Sequence, residues 1–267
     1  MDPIADYQIV EELEGWEGEA MYVAVPPARL SGCGDRVVLK VVNGLGNEHV
    51  MRRATDELRI FAAVDSPFVV RLHDAGQDGD RLFYCMDYPS LGTLEKPTRP
   101  LSLDERLAAA AAACLGAHAL HEVGVVHRSI TPGRVMLDDE GARLADLSLA
   151  RYVSAGLVTT TMPDVKELDY VDPALLRGAP PSRGTDIWSL GAVLHFAASD
   201  GGSLYPGLPA DTLASVRHVL SVAPTLEPGL PPELAECIKA TIDVDVAARP
   251  ATARQLAETV ERVRKSI

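Results

Sequence analysis

Lysine is scarce in this chain: only five of its 25 cationic residues are lysines (Lys40, Lys96, Lys166, Lys239 and Lys265), and 38 Asp and Glu leave a formal net charge of −13. Phosphate backbones are bound by basic faces, so nucleic acid is excluded as an expected partner. Cysteine is equally sparse. Cys33, Cys85, Cys114 and Cys237 form no CxxC pair and have no histidine at ligand spacing beside them. Neither a disulfide framework nor a zinc ribbon is available, and the four read as reduced core thiols of a cytoplasmic protein. The longest apolar run, Leu107 to Leu120, falls short of the roughly 18 to 20 residues of a bilayer span and predicts a buried helix. The N-terminal MDPIADYQIV lacks the basic start, apolar stretch and cleavage site of an export signal, which again predicts a cytoplasmic location. No repeat and no low-complexity linker interrupts the chain.

What is present is 267 residues, 47% hydrophobic and 24% charged. That excludes a disordered chain and supplies one large domain, or two lobes sharing a core. Residues 7–41 alternate in the strand manner (YQIVEELE, EAMYVAV, RVVLKVV) between Gly and Pro punctuation, predicting three antiparallel strands. Val50, Ala54, Leu58, Phe61 and Ala62 recur at helical spacing over 47–64, and FVVRLHDAGQDGDRLFYCMDY predicts two further strands across an Asp-Gly turn. Beyond Pro89 the pattern is mostly helical. Ser102 to Glu105 is a capping box, Pro231-Pro232-Glu233 opens another helix, and Thr252 caps the last.

Specific motifs overlie this pattern. The stretch LHEVGVVHRSITPGRVMLDDEGARLADLSLAR (Leu120 to Arg151) resembles the catalytic loop and metal-binding segment of eukaryotic-type protein kinases, especially bacterial Ser/Thr kinases. Val37-Val38-Leu39-Lys40, Glu57, Cys85-Met86-Asp87-Tyr88, Asp186 to Gly191 (DIWSLG) and Arg249-Pro250 follow in family order. The resemblance implies an α+β, bilobal protein kinase-like fold spanning 1–267. A small antiparallel-sheet lobe with one helix (1–86) joins a larger, mainly helical lobe (93–267) through a hinge (87–92). Leu72, Phe61, Leu147 and His127 match the side chains that stack between the lobes. Asp186 matches the buried aspartate that accepts backbone hydrogen bonds from the His-Arg turn.

The chemical positions depart from the family. Phosphoryl transfer needs an Asp to accept the substrate proton, an Asn and an Asp for two Mg²⁺, and lysines on the phosphates. Here Ser129 stands for the Asp, Thr131 for the loop lysine and Arg134 for the asparagine, while Asp146 is retained. Loss of a general base costs roughly 10²- to 10⁴-fold, and arginine has no lone pair for a cation. The glycine-rich loop is reduced to Glu14-Gly15-Trp16-Glu17-Gly18-Glu19-Ala20, whose carboxylates would repel phosphate. By the resemblance, Lys40, Glu57, Asp146, Val38, Met136, Asp87 and Tyr88 make up a vestigial ATP site. Val38 and the methionines narrow the adenine slot, and Asp146 is the one candidate metal ligand.

The resulting expectation is a pseudokinase: a regulatory or scaffolding module for a protein partner, for which the absence of any cofactor is expected ahead of ATP, with or without Mg²⁺. Two enzyme alternatives stay open on Lys40, Glu57 and Asp146, a working Ser/Thr kinase and another nucleotide-dependent transfer. Thr159, Thr160 and Thr161 fall where the family carries phosphothreonine, and Arg128 is the residue type that clamps it. The expected partner is then a phosphothreonine-reading domain or an active kinase. Arg249 lacks the family's glutamate, so Asp172, Asp243 or Asp245 is expected to pair with it unless it reaches solvent.

Overall fold

A computed structural model describes residues 3–13, 19–44, 47–152 and 164–267. The alternating segments become β1 (Gln8–Leu13), β2 (Glu19–Val25) and β3 (Val37–Val42), followed by helix α1 (Glu48–Ala63) and the hairpin β4 (Leu72–Asp78) and β5 (Arg81–Asp87). They form one antiparallel sheet in the order β1-β2-β3-β5-β4. Strand β3 is central and buried at every position. Its period of two sorts the side chains: Val37, Leu39 and Val41 pack with Tyr7, Phe83 and Cys85 under the N-terminal segment. Val38, Lys40 and Val42 therefore face the other way, towards α1 and the cleft. The tight β4–β5 turn takes Gly79 at φ +62°.

Helix α2 (Leu103–Glu122) starts at the foreseen capping box, with Glu105 N donating to Ser102 Oγ at 3.2 Å and Ser102 N donating to Glu105 Oε2 at 2.8 Å. Its alanine-rich body is buried on nearly every side, as a helix with no polar stripe must be. Gly116 lets it approach closely, because a Cβ there would collide with the Phe68 carbonyl. Four short strands follow that the helical reading beyond Pro89 did not foresee. They are β6 (Val125–Val126), β7 (Val135–Asp138), β8 (Gly141–Leu144) and β9 (Arg151–Tyr152), paired as β6–β9 and β7–β8. Helices α3 (Pro173–Leu176), α4 (Arg183–Ala198), α5 (Thr212–Ser221), α6 (Pro232–Thr241) and α7 (Ala253–Arg264) complete the larger lobe. Helix α6 opens on Pro231-Pro232, and Thr252 Oγ1 accepts from Gln255 N at the head of α7, both as expected.

One apolar cluster runs from Val38 and Met86 of the sheet through Phe61 of α1 and Leu147 into α2, α4, α6 and α7, so the two lobes share a core. Leu72 packs on that cluster half-buried, and His127 is fully buried. Cys85, Cys114 and Cys237 are buried free thiols. Cys33 is not: it is half-buried in the β2–β3 connection, its Sγ near Leu30 O. Among the described residues no helix is long and apolar enough to cross a membrane.

Candidate functional site

The loop after β6 is held from below by Asp186 of α4. Its buried carboxylate accepts from His127 N (2.8 Å), Arg128 N (2.9 Å) and the His121 ring (2.8 Å). These bonds hold Arg128 at φ +74°, a left-handed conformation that a bulky residue adopts only when its surroundings enforce it. His121 is thereby committed to the scaffold. Arg249 is likewise settled: its guanidinium meets Asp172 Oδ2 at 2.5 Å and donates to the carbonyls of Gly184 and Asp243. Asp172 is the substitute acid, and Asp243 contributes only its backbone.

Above this base, Ser129 is half-buried, with its N–H 3.4 Å from His127 Nδ1. Asp138 caps the β7–β8 turn through Glu140 N and Gly141 N and pairs with Arg143, and Asp139 is exposed in the same turn. Thr131 precedes and Arg134 ends the short 3₁₀ turn Pro132–Arg134, and both line the cleft. Arg134 is fixed at its backbone by Ala145 N donating to its carbonyl (2.9 Å). Its guanidinium reaches Asp146 Oδ2 at 2.7 Å through Nε and Glu167 Oε1 at 2.8 Å.

Asp146 lies at φ +63° and also accepts from Ser148 Oγ (2.6 Å) and Ser148 N (3.3 Å). Burial by itself would raise its carboxyl. The Arg134 and Lys40 charges and the serine bonds overcome that and hold it well below the usual carboxylate range. On the opposite wall, Lys40 Nζ meets Glu57 Oε2 at 2.9 Å and Glu19 Oε2 at 3.1 Å. Burial works against the ammonium. The carboxylates, led by Glu57, outweigh it, so Lys40 stays charged.

These groups face a cleft of about 400 Å³ whose walls include Met21, Met86, Met136 and Tyr170. Among the described residues, six carboxylates and four cations line it, which leaves their summed charge negative. Three expected ATP-site residues fall outside this lining. Val38 is fully buried in the shared core because β3 is the central strand. Asp87 is drawn away by Arg71 N (2.8 Å) and His73 Nε2 (2.7 Å), and Tyr88 lies under the Arg36 guanidinium. The backbone there offers little to a ligand: Asp87 N bonds Arg71 O, Leu91 N bonds Leu137 O, and Pro89 has no N–H.

A Mg²⁺ ion does not fit the residues present. It demands six oxygens in near-octahedral array, whereas Asp146 already serves Arg134 and Ser148, and the neighbouring position is a guanidinium. Among the described residues no cluster of three or more His, Cys, Asp or Glu is arranged to hold a metal. The residues 14–18 and Thr159, Thr160 and Thr161 lie outside the described residues. Arg128, whose Nε has no hydrogen-bond partner among the described residues, is repelled by the neighbouring Arg151. Burial chiefly, and that like charge, hold its pKa below the ordinary arginine value.

Sequence reasoning missed Glu167 and misjudged Glu19. Glu19 was expected to repel phosphate, but it is spent on Lys40 and on Arg53 of α1. No local signal marks Glu167, because its partner lies 33 residues away in sequence.

The family model of the protein kinase domain matches residues 18–259. The chain belongs to the protein kinase family. Among curated relatives it is similar to the DNA damage-responsive serine/threonine-protein kinase RqkA of Deinococcus radiodurans, at 33% identity over 70% of this chain and 29% of the relative. It is also similar to Protein kinase 3 of Dictyostelium discoideum, at 28% identity over 77% and 24% of the two chains, and to serine/threonine-protein kinase PknL of Mycobacterium tuberculosis, at 28% over 60% and 41%. The chain thus spans well under half the length of each of these relatives. The bilobal α+β kinase fold and the family stand as the sequence implied.

Proposed function

We propose that this kinase-family chain acts as a pseudokinase, a cytoplasmic regulatory or scaffolding module whose cleft carries out no efficient phosphoryl transfer. The single observation that carries the reading is Ser129. At the position where an alcohol must give up its proton there is a hydroxyl, and Asp138 and Asp139 are held in a turn instead. Arg134 and Glu19 support it: Arg134 stands paired with Asp146 at the metal position, and Glu19 puts a second carboxylate on Lys40 beside Glu57. The lobes divide at 87–92 in this reading, with ATP bound weakly or not at all.

Regulation is assigned to Arg128, which together with Arg151 offers positive charge to a phosphate on Thr159, Thr160 or Thr161. Phosphorylation by an active kinase would then create a site for a phosphothreonine-reading partner. The second reading, a working Ser/Thr kinase, is favoured by the formed Lys40–Glu57 pair and by retained Asp146.

A melting scan with ATP, with and without Mg²⁺, separates the two. A ligand at about 100 times its Kd adds about 2.7 kcal/mol, and the pseudokinase reading expects no Mg²⁺-dependent shift and no radiolabel on Ser/Thr peptides. Transfer that Asp146→Ala abolishes would overturn it.

A further inference from the structure

We infer that Arg134 is a tethered substitute for a divalent cation: its guanidinium is the permanent counter-charge of Asp146 and Glu167, which makes this cleft independent of metal. The inference rests on the reading of the cleft as one without metal-assisted phosphoryl transfer, and it names the residue that replaces the metal. Asp146 follows β8 and Glu167 lies in the segment before α3, two separate parts of the chain. Their carboxylates nevertheless converge on one group, at 2.7 and 2.8 Å. Two converging carboxylates repel unless a cation stands between them. Arginine supplies that cation at every physiological pH, and its planar fork suits two separate carboxylate oxygens.

The tether also removes the entropic cost of recruiting an ion from solution, since Arg134 is anchored by its own 3₁₀ turn and by Ala145 N. The same bond ties Glu167 across the mouth of the cleft, whose walls include its neighbours Asp164 and Lys166. Taking Arg134 away should therefore do more than weaken the site. Two carboxylates would face each other with no cation between them, and an asparagine oxygen would join them: hard oxygen donors of the kind Mg²⁺ and Mn²⁺ select.

The test is a Mn²⁺ titration of the full chain without nucleotide, read by the loss of the free Mn²⁺ signal in electron paramagnetic resonance. The wild type is expected to take up none at about 1 mM, whereas Arg134→Asn gains one ion per chain. That gain should vanish in Arg134→Asn/Asp146→Asn and weaken at least about tenfold in Arg134→Asn/Glu167→Gln. Stoichiometric uptake by the wild type that Asp146→Asn removes overturns the inference, as does a folded Arg134→Asn that binds no Mn²⁺. If Arg134→Asn does not fold, Arg134→Gln is melted with and without Mn²⁺: a rise in the variant alone supports the inference, and equal behaviour of variant and wild type overturns it. Wild-type Mn²⁺ uptake sinks this inference even where no phosphoryl transfer occurs, whereas transfer without such uptake sinks only the preceding reading.

Discussion

Two aspartates, Asp186 under the loop and Asp146 above it, are the same residue type, both held below the usual carboxylate range, and they have been put to opposite uses. Asp186 receives two backbone N–H groups and a histidine, so it determines where the chain runs. Asp146 receives a guanidinium and a serine, so its charge is consumed by side chains. The first arrangement is what a kinase scaffold requires. The second leaves the carboxylate paired with side chains of the cleft. Backbone support and the pairing of cleft charges in this fold therefore rest on different residues.

The sharpest way to break that contrast is to delete each acid. Asp186→Ala strands two buried N–H groups at about 1–3 kcal/mol each, so urea unfolding should show a loss of roughly 2–6 kcal/mol, with the loop displaced. Asp146→Ala leaves Arg134 still paired with Glu167, and only hydrogen bonds to a charged group are lost, about 1.5–3 kcal/mol. Equal losses in the two variants would mean that Asp146 is as structural as Asp186.

The smallest effect concerns His127, which sits between the two acids. Burial holds its imidazole below the ordinary 6.5, outweighing the opposite pull of Asp186 and Asp146. The unfolded chain then takes up a proton that the folded chain refuses, so stability falls as pH drops below about 6.5, by at most about 1.4 kcal/mol per unit. His195, also held down by burial, adds in the same direction. Asp146 and Asp186, both held down, contribute their stabilisation above the ordinary carboxylate range and lose it progressively as pH falls below that range. Urea midpoints between pH 7 and pH 5 check this, and a flat profile would show that His127 protonates in place.

Much of the fold was legible because its signals are local. Alternation over 7–41, the Asp-Gly turn and the Ser102–Glu105 box each act within a few residues, and each appears where it was read. The short strands β6 to β9 were not legible, since two to four residues carry too little period to stand out from helix-rich surroundings. In the cleft, the substituted residues could be named from their place in the motif. What Val38, Asp87 and Glu19 do could not, because each is decided by a neighbour from another element: the core, His73 and Lys40.

The sequence alone determined the family, the order of the lobes and the absence of a carboxylate at Ser129, because motif order and residue identity are properties of a linear chain. Only the tertiary structure decided what fills the chemical gaps. Arg134 meets both Asp146 and Glu167, and Arg249 meets Asp172 across 77 positions. A charge chooses its partner by distance in space, and folding alone sets that distance.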